Sequence, residues 1–458
     1  MKILILGAGQ VGSSAAYHLS REEANDVTVV DRSADVLREL QDRLDIRTVV
    51  GHAAYPEVLE RAGADDADII VALTDTDETN MIACQVAYTL FKTPMKIARI
   101  RSADYMNARK LFTQEAIPVD VRISPEQLVC EYVEQLILYP GALQVLDFAD
   151  GRVRLIGARA DRGGRLVNQK IATLKEHIPN TEGRIAAIYR DGKSMQPDGD
   201  TVILEGDEIF FVSARQDVRV FMSEMRKQDD PVRRVIIAGG GNIGVRLALA
   251  LEHTNQVKII ERDVQRARQI SEQLNKAIVL VGDAADEELL LEENIDNVDV
   301  FAALTNAEEA NILSAMLAKR LGARKVMALI NRPSYVDLVE SGSIDIAISP
   351  QQVTIGSLLA HVRRGDVVKV HSLRHGTAEA IEAVAHGSES ESKVVGRRIE
   401  DIPLPRGTSI IAIVRGDKVI IAHHDTVVET DDHVILFMTD RRKIDQLESL
   451  FQVGVSFV

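Results

Sequence analysis

The hexapeptide GAGQVG at residues 7–12 returns as GGGNIG at residues 239–244, an offset of 232 in a chain of 458 residues. Further matches hold nearly the same spacing. Gly51 answers to Gly282, and ALTD at 72–75 answers to ALTN at 303–306, both at an offset of 231. Tyr105 matches Tyr335 at 230, and ISPEQ at 123–127 matches ISPQQ at 348–352 at 225. AIYR at 187–190 is echoed by AIVR at 412–415. So many ordered matches at a slowly drifting offset mean that one unit is duplicated, and the fold must be two copies of a fold for about half the chain.

Each unit divides into a larger and a smaller module. In the first larger module, short apolar runs at Lys2 to Leu6, Val27 to Val30, Arg47 to Val50, Asp68 to Leu73 and Lys96 to Ile100 read as strands. They alternate with amphipathic segments such as Asp35 to Leu44 and Glu78 to Phe91, and such alternation demands a parallel sheet with right-handed crossovers and helices on both faces. Residues 234–237, 257–260, 278–281, 300–304 and 325–330 repeat the scheme. The smaller modules are strand-rich. Val153 to Ala158, Arg184 to Tyr189, Val202 to Leu204 and Glu208 to Val212 read as strands punctuated by Asp191-Gly192 and Gly206-Asp207, with a helix near Gln216 to Met225. The connectors Ser124-Pro125 and Ser349-Pro350 each set a capping serine before a proline at the first helical position. The helix after Ser124 carries Leu128, Val129, Val133, Leu136 and Ile137 on about one face, suited to another subunit or to covering its own sheet.

The first glycine motif follows a strand, opens a helix and precedes Asp31, which ends the next strand 19 residues beyond Gly12. In that context it is a dinucleotide-binding turn of Rossmann type: the first glycine permits the turn, the second admits a pyrophosphate, and the third lets helix and strand pack. Asp31 would accept from ribose hydroxyls and repel a 2′-phosphate, which favours NAD over NADP; the adjacent Arg32 weakens that preference. The second copy keeps Gly239, Gly241 and Gly244 and sets Glu261 17 residues beyond Gly244. Leu73-Thr74-Asp75 and Leu304-Thr305-Asn306 end the fourth strands, where ligands of such sheets sit, although Asp75, Asp77 and Glu78 could simply cap the next helix. Arg99 and Arg101 could reach a phosphate. The second copy has Leu329 and Asn331 in their places, with Arg332 one residue on, so the two sites should differ.

Composition excludes several functions. A net charge of −15 opposes nucleic acid and anionic lipid. Only Cys84 and Cys130 occur, so neither a disulfide framework nor a zinc site is expected, and a reducing compartment fits. No run of 18 apolar residues exists, so a membrane role would come through a partner. Neither half offers an acid–base group beside a substrate domain. His423-His424-Asp425 has Asp198-Gly199-Asp200 as its counterpart, which argues for a solvated loop over a metal site, and 386–392 is a polar loop. No metal or catalytic residue is therefore assigned.

MKILILGAGQVG, Asp77-Glu78-Thr79-Asn80-Met81, Ile97 to Arg101, Ser124 to Leu128 and Asp345 to Gln352 together make the whole chain resemble the TrkA family, the peripheral components of bacterial Trk potassium uptake systems with tandem RCK (KTN) domains. The resemblance implies an α/β fold of two Rossmann-type doubly wound parallel sheets (RCK-N), each followed by a small α+β RCK-C domain. Their limits would be 1–123 and 140–226, then 232–348 and 366–453, with crossover-helix linkers at 124–139 and 349–365. It implies that NAD or NADH, with ATP or ADP as alternatives, binds Gly7, Ala8, Gly9, Gln10, Val11 and Gly12 with Asp31, Leu73, Thr74, Asp75 and Arg99. The second set is Gly239, Gly240, Gly241, Asn242, Ile243 and Gly244 with Glu261 and Thr305. His52 departs from the acid or amide common at its position, which Asp283 keeps, and so puts a cation at the first site in doubt. The implied role is a cytoplasmic, peripheral regulatory subunit on the inner face of the inner membrane. It would form a ring, a tetramer of two-repeat chains, that gates an integral-membrane Trk channel subunit. A tandem NAD-dependent oxidoreductase and a nucleotide-binding scaffold unrelated to transport are the competing readings.

Overall fold

A computed structural model describes residues 1–22, 25–195, 197–227, 229–340, 342–363, 366–373 and 377–452. The linker limit at 365 and the last-domain limit at 453 lie outside the described residues. The first larger module runs β1 (Lys2–Leu6), α1 (Gln10–Leu19), β2 (Asp26–Asp31), α2 (Ala34–Gln41), β3 (Arg47–Val50), α3 (Pro56–Arg61), β4 (Ile69–Ala72), α4 (Asp77–Val86), β5 (Met95–Arg99), α5 (Ala103–Asn107) and β6 (Val121–Ile123). Its sheet is parallel in the order β3-β2-β1-β4-β5-β6, the doubly wound arrangement whose chain reversal lies between β1 and β4. Helix α6 (Pro125–Leu138) follows, started as expected by Ser124 Oγ accepting from Gln127 N at 3.4 Å. The first smaller module holds β7 (Ala142–Phe148), β8 (Val153–Arg159), α7 (Leu174–His177), β9 (Gly183–Arg190), β10 (Lys193–Met195), β11 (Glu208–Ala214) and α8 (Val218–Met225), in an antiparallel sheet β10-β9-β11-β8-β7.

The second larger module repeats the plan with β12 (Arg234–Ala238), α9 (Asn242–Leu251), β13 (Gln256–Glu261), α10 (Val264–Gln273), β14 (Ile278–Val281), α11 (Glu287–Glu292), β15 (Val300–Ala303), α12 (Glu308–Arg320), β16 (Lys325–Leu329), α13 (Pro333–Glu340) and β17 (Ile346–Ile348), in the order β14-β13-β12-β15-β16-β17. Helix α14 (Pro350–Val362) leads to β18 (Val367–Leu373), β19 (Ala378–Val384), β20 (Thr408–Arg415), β21 (Lys418–Ile421), β22 (His433–Met438) and α15 (Ile444–Phe451). This last sheet, β18-β19-β22-β20-β21, has the topology of its counterpart.

Three expectations need correction. Val202 to Leu204 is no strand: Val202 and Ile203 make only isolated bridges to Lys170 and Val167. The helix read as Glu78 to Phe91 ends at Val86 and continues as a wider turn over 87–91. The connecting helices do not cover their own sheets. Contacts divide the chain into Met1–Leu128 with Pro350–Val362, and Val129–Ser349 with the chain from Arg363. In the first unit α14, from the second repeat, packs on α1 and β6 of the first. In the second unit α6 buries Val129, Val133 and Leu136, and Lys325 of β16 donates to the carbonyls of Leu136, Pro140 and Ala142 at 3.4, 2.8 and 3.1 Å. Also in that unit, Phe148, Leu155 and Phe210 share one apolar core with Ile411, Ile435 and Phe437, so the two antiparallel sheets bury their faces together.

Candidate nucleotide-binding site

The turn after β1 shows why its glycines are glycines. Gly7 sits at φ +103°, a backbone region that side chains oppose, and Gly239 matches it at +109°. A Cβ on Gly12 or Gly244 would fall inside the carbonyl oxygen of Gly7 or Gly239, whereas one on Gly9 or Gly241 would meet nothing within 4 Å. The third glycine thus serves packing, and the second leaves open room at the N-terminus of a helix that has no side-chain cap and no acid in its first turn.

Asp31 braces this turn. Its Oδ2 accepts from Ala8 N at 2.7 Å and its Oδ1 from Ser33 N at 2.8 Å. Glu261 does the same work, with Oε2 on Gly240 N at 2.8 Å and Oε1 on Asp263 N at 2.9 Å. The pairs are matched in size. A Cβ at residue 240 would meet Ile270 Cδ1 at 2.2 Å and Glu261 Oε2 at 2.9 Å, whereas beside the shorter Asp31 the buried methyl of Ala8 is accommodated. Each carboxylate oxygen keeps a lone pair for a further donor.

At the ends of β4 and β15 the threonines are fixed by buried asparagines. Asn80 Oδ1 accepts from Thr74 N at 2.9 Å and from its hydroxyl at 2.7 Å, and Asn80 Nδ2 donates to Arg99 O at 2.9 Å. Asn311 repeats this with Thr305 and the carbonyl of Leu329. Asp77 does not cap its own helix; it accepts from Arg101 N and Ser102 N, as Glu308 accepts from Asn331 N and Arg332 N. Glu78 accepts from the Tyr105 hydroxyl at 3.0 Å.

In the first repeat Gly7, Gly9, Asp31, Leu73, Thr74, Asp75 and Arg99 line one cleft of roughly 360 Å³. Of the other sequence-expected residues, Ala8, Val11 and Gly12 are buried behind the turn and Gln10 is exposed at the helix start. Arg101 is not among the lining residues and donates to the carbonyl of Asp75. Arg99 is only 18% exposed; burial lowers its guanidinium below the ordinary value, and Glu126, at 3.3 Å, opposes that. Arg32 lies 3.7 Å from Asp75. Sequence reasoning did not assign Gly51, Ala53, Thr76 or Thr79 to this lining, nor His52, whose departure it had noticed. Their signal was position, since the end of β3 adjoins that of β2 on the same sheet edge. In the second repeat Gly239 to Gly244, Glu261 and Thr305 occupy the same places, but Leu329 replaces Arg99 and Arg266 donates to the Gly240 carbonyl at 3.0 Å.

Cys84 and Cys130 are buried, and burial pushes each thiol up to about 12. His423 and His424 lie in an exposed turn. No helix among the described residues is long and apolar enough to cross a membrane.

Two parallel sheets with glycine turns and braced carboxylates, each followed by an antiparallel sheet, define the tandem RCK class. Residues 3–125 and 235–350 match the TrkA-N domain model, and 155–226 and 389–452 match the TrkA-C domain model. Two proteins named Trk system potassium uptake protein TrkA, from Halomonas elongata and Vibrio alginolyticus, are 60% and 58% identical, each over 100% of both chains. The RCK domain of GsuK is similar in fold, with a TM-score of 0.61 at 18% identity over 98% of this chain and 95% of that one. The chain belongs to the TrkA family. It is a regulatory component of potassium transport and not an oxidoreductase.

Proposed function

We propose that the chain is the nucleotide sensor of a potassium uptake system, binding NAD(H) and adenine nucleotides, ATP or ADP, in both repeats and gating flux through an integral-membrane Trk channel subunit. The observation that carries this is the cleft where the open face of Gly9, the carboxylate of Asp31, Thr74 and Arg99 meet at the carboxyl edge of the sheet. A pyrophosphate on the bare amides of α1 and ribose hydroxyls on Asp31 use what each group has left to offer. The contact between Arg32 and Asp75 draws that cation toward another carboxylate, so it adds little welcome for a 2′-phosphate. Structures of the GsuK channel bound to NAD, TM-score 0.60, and to ADP, TM-score 0.50, add support by fold.

A ligand can bias the channel only through different affinities for different conformations. The proposal includes a homo-oligomeric ring, a tetramer of two-repeat chains, held on the inner face of the membrane through the channel subunit. It also includes the module limits 1–123, 140–226, 232–348 and 366–453. Calorimetric titration of NADH and ATP into the full chain, paired with potassium flux through the reconstituted complex, tests it. Asp31→Ala and Glu261→Ala are each expected to weaken one class of site about 10-fold or more and to blunt the flux response. An unaltered response in both variants would refute the proposal.

A further inference from the structure

The two repeats set different side chains into one and the same turn, and we propose that His52 and Asp283 give the two nucleotide sites different selectivity toward the base of a bound purine nucleotide, the second accepting adenine alone and the first both adenine and hypoxanthine. The inference rests on the nucleotide-binding reading above and names the part of the ligand that each site inspects. After β3 and β14 the backbones bond alike. Gly51 N donates to Asp31 O at 2.9 Å and Gly282 N to Glu261 O at 3.0 Å; His52 O then accepts from Tyr55 N at 3.1 Å and Asp283 O from Asp286 N at 3.0 Å. The side chain closes each turn in the same way. Ala54 N donates to His52 Nδ1 at 3.3 Å, and Ala285 N donates to Asp283 Oδ1 at 2.9 Å.

What is left over has opposite sign. A ring nitrogen that accepts from an amide carries no proton, so the neutral imidazole keeps its hydrogen on Nε2 and offers a donor. The second oxygen of Asp283, 3.8 Å from the Arg262 guanidinium and so too far for a hydrogen bond, offers only an acceptor. His52 is held in place by stacking on Tyr55, with centroids 4.5 Å apart and 26° between planes, and it lines the cleft beside Asp31. The strand order β3-β2-β1 sets the direction. With phosphates at the turn after β1 and ribose on the acid ending β2, the base comes to the end of β3, where His52 stands, or of β14, where Asp283 stands.

Position 6 of a purine is an amino donor in adenine and a keto acceptor in hypoxanthine. Asp283 matches the amino group and repels the keto oxygen. His52 Nε2–H matches the keto oxygen, or a ring nitrogen of adenine. The second cleft is therefore selective for adenine, and the first admits both bases.

ATP and ITP differ at that position, so calorimetric titration of the full chain with each separates the readings. ATP is expected to fill both classes of site, and ITP only one, with affinity within about threefold of ATP there and at least about 10-fold weaker at the other. His52→Asp should lower the ITP-to-ATP affinity ratio of the first site by about 10-fold, and Asp283→Asn, whose amide supplies a donor, should admit ITP to the second. ITP filling both sites of the unaltered chain as well as ATP does, or an unchanged ratio in His52→Asp, overturns the inference and leaves the nucleotide reading intact. Absence of ATP binding in the unaltered chain overturns both.

Discussion

At the scale of single residues, two glycines in one turn have separable duties. Gly12 is required by the fold, because any Cβ there meets the Gly7 carbonyl; Gly9 faces empty space in a conformation that alanine also accepts, at φ −66° and ψ −173°. Gly9→Ala should therefore leave the melting temperature within a degree or two while weakening NADH about 10-fold or more, because the methyl occupies the ligand's approach. Gly12→Ala should cost about 1–3 kcal/mol of stability, read from denaturant midpoints. Comparable melting losses in the two variants would contradict this division. The glycine motif made these roles legible in the sequence, as Asp31 and Glu261 made theirs. The bracing of Ala8 by Asp31 was not legible, because it depends on how the carboxylate and its packing neighbours, Ile270 in the second repeat, fit around residue 8 or 240.

Among elements, the connecting helices carry the most information. Lys325 at the start of β16 places its ammonium on three carbonyls at and beyond the end of α6, although burial pulls it down to about 7. The repeat sets Met95 at the equivalent place. Lys325→Met should thus fit sterically yet leave those carbonyls short of a donor, lowering stability by about 1–3 kcal/mol, as urea unfolding would show; an unchanged midpoint would mean that the bonds offset only the cost of burying the charge. Apolar runs bounded by Gly and Asp made β1 to β5 and their counterparts legible. Strands β6 and β17 were not, because three residues beside a proline helix start carry no periodicity. The destination of α6 and α14 was equally hidden, since an apolar face states that a helix is covered and not by what.

On the scale of the molecule, acid should act in two steps. His371 packs half-buried against Phe148 with Nε2 3.2 Å from the Asp147 carbonyl, and desolvation pushes its imidazole down from 6.5 to about 4. Between those values the unfolded chain takes up a proton that the folded chain refuses, so stability falls as pH drops through the window. Glu252, held down from 4.5 to about 2 by the amides of Lys276, Ala277 and Asn275, adds a second fall that begins near 4.5 and continues to lower pH. Each group contributes at most about 1.4 kcal/mol per pH unit. Melting temperatures measured from pH 7 to 4 should decline, and His371→Leu should flatten that decline. A steeper decline in the variant would reverse the assigned sign. The helix exchange bears finally on how the chain is born. The first parallel sheet is finished by α14, which leaves the ribosome about 240 residues after β6 does. At ordinary elongation rates of roughly 5–20 residues per second, the nascent first module waits on the order of 10 to 50 s with the flank of α1 and β6 bare. Folding therefore cannot run simply from the N-terminus onward, and a message broken between the repeats yields an adhesive remnant in place of a working half.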